Sequence, residues 1–147
     1  MEILFTIASS IIIFLFCEGI VRALFINPYI EYKKLKSKVA YALTFYANIY
    51  SNPEYLGDGV TPSKRYDQAS DDLRKIASEL RAFIELKPKI SIGIPDKEKI
   101  YEATSRLIGL STCLHTAYNV NYGNIQADQN LKRRDAIYDL LKIYTRS

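Results

Sequence analysis

The stretch that decides the fold is Met1–Ile26, MEILFTIASSIIIFLFCEGIVRALFI, followed at once by NPYIEYKKLKSK over 27–38. Residues 3–17 carry no charge, and as a helix they rise roughly 22 Å, short of the ~30 Å hydrocarbon core of a bilayer. Continuing to Ile26 gives roughly 36 Å, enough to cross with some tilt. A cleaved signal peptide begins with positive charge and ends in small residues. This stretch begins Met1-Glu2 and ends in bulky ones. A core helix is the other alternative, set against 24 mostly apolar residues at one end of the chain. The expectation is a retained transmembrane helix over 1–27 and a helical domain over 28–147.

The flanks give a direction. Glu2 stands alone on one side, while Lys33, Lys34, Lys36 and Lys38 crowd the other. Basic residues stay on the cytoplasmic side of a span, so the expected protein is single-pass in the inner (plasma) membrane, N-terminus outside and domain in the cytoplasm. The lipid membrane is then its first partner. Phe25, Tyr29 and Tyr32 are expected at the inner interface as an aromatic belt, with the lysines on anionic headgroups. Glu18 and Arg22, four apart, share a helix face within the span. They form either an intrahelical pair near the interface or a contact between neighbouring spans. Ala8, Ser9 and Ser10 are small enough to let helices approach, but no small-xxx-small motif with glycines is read here to enforce it.

Beyond the span, Asn27-Pro28 reads as a helix start, with Asn capping and Pro in the first turn. Leu35, Val39, Ala42, Tyr46 and Ile49 step by 4, 3, 4, 3, an apolar helix seam ending near Tyr50, before Ser51-Asn52-Pro53. Residues 51–65 hold two prolines and two glycines. They predict a long loop with a turn at Gly57-Asp58-Gly59, functional or merely mobile. Tyr66 to about Leu86 predicts a second helix with the seam Ala69, Leu73, Ile76, Leu80 and Phe83. KPKISIGI over 87–94 is a connector. Pro95-Asp96 opens a third helix with the seam Ile100, Ala103, Leu107, Leu110 and Leu114. Gly109 within it suggests close approach of a neighbouring helix. NVNYGNIQADQN over 119–130 reads as a polar bridge. The last helix is expected from about Ile125 or Asp128 to Tyr144, burying Leu131, Ile137, Leu140, Leu141 and Tyr144. The expected fold is all-α: one N-terminal transmembrane helix followed by a cytoplasmic antiparallel four-helix bundle.

Chemistry is sparse. The net charge is +4, and Glu2, Glu18 and Arg22 account for −1 of it, so residues 28–147 carry +5. That suits an anionic surface or small ligand but does not point to nucleic acid. Cys17 lies in the apolar run and Cys113 far from it, so no disulfide or cysteine zinc site is expected. Asp67, Asp71 and Asp72 are read as partners of a helix N-terminus rather than a metal site. The sole histidine, His115, lacks an orienting partner by spacing. Arg106 precedes it by too many residues for the Arg-x(4–6)-His pattern of helical HEPN ribonucleases. There is no glycine-rich phosphate loop, HExxH or GxSxG. Neither an enzyme nor a cofactor is expected. Lys132, Arg133 and Arg134 form a basic cluster, read as a solvated helix face or as a candidate anion-binding site.

The stretches ALTFYANIYSNP (42–53), LRKIASELRA (73–82), and IGIPDKEKI (92–100) with RLIGLS (106–111) resemble patterns in uncharacterised, small single-span bacterial membrane proteins. The resemblance implies a bacterial origin and carries no functional residue. The expected function is a non-enzymatic membrane-anchored interaction protein that self-associates or recruits a protein partner. The alternative is an effector whose domain binds an anionic or nucleotide signal. That arrangement loosely resembles membrane effectors of bacterial antiphage systems.

Overall fold

The computed structural model describes residues 2–55, 63–86, 92–116 and 120–143. The expected turn at Gly57-Asp58-Gly59, most of the 87–94 connector and Tyr144 lie outside the described residues. The chain is all-helical, with one long apolar N-terminal helix, α1 (Glu2–Val21). A π-helical turn, Arg22–Ile26, joins it to α2 (Asn27–Phe45). Then follow a short α3 (Ala47–Ser51), α4 (Lys64–Leu86), α5 (Lys97–Thr112) and α6 (Val120–Leu141). Two-residue segments β1 (Glu54–Tyr55) and β2 (His115–Thr116) pair in parallel, Glu54 opposite His115.

The expected new helix start at Asn27-Pro28 is not there. Asn27 has helical φ −62° and ψ −48°, and the helix runs through without a break. Pro28 lacks the N–H that an α-helix interior requires. The turn before it is wound wide instead: Asn27 N–H reaches back five residues to the Arg22 carbonyl. A π turn of this kind re-phases the hydrogen-bond ladder around the proline without ending the helix. From Ser9 to Phe45 the helix spans 37 residues. Its apolar stretch is bare, with Ile11, Ile12, Ile13, Phe14, Leu15 and Phe16 all more than half exposed. This helix, unburied among the described residues, is long and apolar enough to cross a membrane.

The three seams converge on one core. Val39, Leu73, Leu80, Ile100, Leu107, Leu110 and Leu114 are completely buried. Only Ile76 among the seam residues is left half-buried. α4 packs along α5, α5 along α6, and α2 along α4. Small residues on the α4 and α5 faces, Ala69, Ser70, Ala77, Ala103 and Ser111, are all buried and let α4 and α5 lie close. Ser70 Oγ donates across to the Ser111 carbonyl at 3.1 Å. α2 stops at Tyr46, where the backbone leaves the helical region (φ −95°, ψ 15°), and α3 then turns Ile49 and Tyr50 inward.

α6 departs most from expectation. It begins at Val120, so the polar bridge is largely helical despite Gly123. Ile137 and Leu141 are completely buried, and Leu131 and Leu140 pack against the core from its edge. A polar residue, Asn130, is as completely buried as Ile137 and Leu141. Its Nδ2 donates to the carbonyls of Tyr50 (3.0 Å) and Cys113 (3.1 Å), at the ends of α3 and α5. Its Oδ1 accepts from Gln126 (3.3 Å) and Arg133 (3.0 Å). One amide thereby supplies donors to carbonyls that helix ends leave without partners.

Candidate functional site

The first turns of α2 position the residues expected at the membrane interface, and they split into two groups. Tyr29 is exposed. Its ring covers the left-handed turn at Gly93 (φ 76°), and Lys33 Nζ sits 5.6 Å from the ring centre. Lys34 projects outward with no carboxylate partner among the described residues. Tyr32 corrects its assignment to the aromatic belt: it is buried, stacked on Phe83, and its hydroxyl donates to the Leu141 carbonyl at 2.9 Å. Burial holds its phenol well above the ordinary range. Lys36 also turns inward, donating to the Lys142 carbonyl at the end of α6. A cation there complements the helix's negative end. Desolvation, with Lys33 and Lys142 nearby, lowers its pKa. These two residues fasten the start of α2 to the end of α6. Lys38 pairs with Glu79 of α4 at 2.6 Å.

In the apolar segment Arg22 lies 3.4 Å from Glu18 along the same helix, which is the intrahelical form of the pair. Gly19 and Ala23 stand four apart here, a small-xxx-small spacing that corrects the expectation of no such motif with glycines. A Cβ built at Gly19 meets nothing within 4 Å.

The basic cluster of α6 does not converge. Lys132 pairs with Asp128 at 2.6 Å, one turn earlier. Arg133 donates to Asn130 and lies along Gly109 of α5. Arg134 is held by Asp135 at 2.6 Å. Desolvation works against the Arg134 charge, but Asp135 and Tyr50 outweigh it and its pKa is raised. Each cation has its own protein partner, and no shared anion seat is formed. Of the acidic trio, Asp72 accepts from the Tyr46 hydroxyl. Burial first, then the Asp72 carboxylate, pushes Tyr46 up to about 12. No three His, Cys, Asp or Glu side chains converge on a metal position among the described residues. Cys17 and Cys113 are free thiols. His115 is described in its backbone only.

A groove of about 970 Å³ lies elsewhere, between α2 and α4. Its walls are Ile30, Tyr41 and Phe45 from α2 and Ile76 from α4. Tyr41 and Phe45 are 67% and 58% exposed, large values for aromatics one turn apart on a packed helix. They stack on each other with ring centres 5.5 Å apart. Lys33, Lys34, Lys38 and Lys75 stand around them, with Asp72 and Glu79 between. The sequence reading missed this site. Its signal was available: Tyr41 and Phe45 sit four apart, off the 35-39-42-46 seam, where a solvated helix carries polar residues.

No family model, curated protein or solved structure matches this chain.

Proposed function

We propose that the chain is a single-span membrane protein of the bacterial inner membrane whose helical domain is a non-enzymatic interaction module on the cytoplasmic face. One observation carries it. α1 is mostly apolar, is not buried against its own domain among the described residues, and continues without a break into a helix that buries one face and leaves an aromatic, lysine-edged groove on another. An apolar helix bare all round is stable in lipid and costly in water. An apolar groove rimmed by charge suits a partner surface. On this reading α2, α4, α5 and α6 form an antiparallel four-helix bundle under the membrane. Lys33 and Lys34, roughly 10–12 Å along the helix from Ile26, reach the headgroups.

A reporter enzyme that works only in the cytoplasm, fused after Ser147, is expected to be active, and one that works only outside is expected to be silent. The reverse result overturns the orientation. Extraction of the protein into the supernatant by alkaline carbonate overturns the anchor itself. The alternative, an anionic signal held by Lys132, Arg133 and Arg134, is the weaker reading because all three are engaged by neighbours in their own chain.

A further inference from the structure

We infer that the α2/α4 groove is the contact between two copies of this chain, placed side by side in parallel about a two-fold axis along the membrane normal. The inference rests on the reading of α1 as a span, which makes neighbouring copies parallel.

The levels of the groove are fixed by pairs between its two walls. Tyr32 stacks on Phe83, Lys38 pairs with Glu79, and Tyr46 bonds to Asp72. Numbers rise along α2 as they fall along α4, so the two helices are antiparallel. A two-fold axis parallel to the helices keeps every residue at its own height. α2 of one copy, laid in the groove of the other, then sets Tyr41 and Phe45 against the partner copy's aromatic pair and Ile76. Lys34 and Lys38 come level with the partner copy's Glu79, within a turn. Lys34, which has no carboxylate in its own protomer among the described residues, gains one. The face is thus self-complementary, as an isologous contact requires.

The other occupants fit less well. A lipid headgroup meets Lys33 and Lys34, but Tyr41 and Phe45 lie roughly 22 and 28 Å beyond Ile26 along the helix, past a headgroup layer only ~5–8 Å deep. A nucleic acid calls for one sign of charge, and Asp72 and Glu79 stand in the middle of this face. Within the span, Gly19 and Ala23 leave room for two helices to approach. Confinement in one membrane raises the effective concentration of the copies.

The test uses the full chain in lipid nanodiscs and in membranes. Native mass spectrometry is expected to show a two-chain species. The double change Tyr41→Glu with Phe45→Glu is expected to weaken association at least tenfold in a fluorescence-transfer titration. Both side chains are exposed, so the fold survives, as an unchanged circular dichroism melt will show. Tyr101→Glu, on the exposed face of α5, is expected to leave association unchanged. In a Cys17→Ser, Cys113→Ser background, Tyr41→Cys is expected to cross-link to itself under mild oxidation, because only a two-fold contact brings identical residues together. A wild-type monomer retained by carbonate-washed membranes overturns the inference and leaves the anchor standing. So does a dimer indifferent to Tyr41 and Phe45, or a monomer that loses bound anionic lipid in the double variant. A chain that carbonate releases removes the anchor and this inference with it.

Discussion

Asn130 holds the ends of two helices on one buried amide, and its removal leaves the Tyr50 and Cys113 carbonyls unpaired inside the protein. Each such orphan costs about 1–3 kcal/mol, so Asn130→Leu is expected to destabilise the fold by roughly 2–4 kcal/mol in urea titration. Nothing local in NVNYGNIQADQN marked this residue. Burial of an amide depends on partners 17 and 80 positions away, which periodicity does not register. Tyr32 was hidden for the same reason: a tyrosine next to a span reads as belt, and only the approach of Leu141 and Phe83 makes it core. The buried phenols also set an alkaline limit. Burial raises Tyr32 and Tyr50, and burial with Asp72 raises Tyr46 to about 12 from an ordinary 10.0. The folded chain keeps protons that the unfolded chain releases, so this stabilisation is whole below about pH 10 and is lost as pH rises through the folded values. Melting temperature is expected to fall between pH 10 and 12, and Tyr46→Phe to shallow that fall.

The seams of α2, α4 and α5 were legible because a 4-3 spacing of apolar residues has one physical solution, a helix buried along one stripe. Their contacts came out as the spacing required, Leu107 being completely buried among them. Ends were read less well. Asn-Pro signals a helix start when the preceding turn is α-helical, but a π turn removes the conflict with proline and the helix continues. Gly123 did not stop α6, its helix penalty being only about 1 kcal/mol relative to Ala. Glycine itself separates two cases. At Gly93 the backbone is left-handed and the Tyr29 ring lies 3.0 Å from where a Cβ would stand. Gly93→Ala is therefore expected to destabilise by about 1–2 kcal/mol. At Gly109 the nearest atom, on Arg133, is 3.5 Å away, an ordinary contact. Gly109→Ala is expected to stabilise α5 by up to about 1 kcal/mol, since the close approach suggested by the sequence leaves room for a methyl. Thermal melts of the two variants, moving in opposite directions, check both.

At the scale of the molecule, the apolar end and the helical domain were both visible in the order of residues, whereas the groove was not. The groove belongs to two helices at once. Its four lysines, two carboxylates and aromatic pair lie on segments more than twenty residues apart, and only packing sets them level. The unbroken helix through Arg22–Ile26 and Pro28 has a mechanical meaning of its own. A flexible tether leaves a domain free to swivel. A single rod from Ser9 to Phe45 instead acts as an axle, so the compass bearing of the groove is set by how many residues lie above it. One alanine inserted between Ile26 and Asn27 is expected to turn the domain by about 100° relative to α1. Seven bring it back to within about 20° of its starting bearing. Cross-linking through Tyr41→Cys, lost with one added residue and regained with seven, would show the axle turning. Loss of the signal with neither length would show a swivel instead.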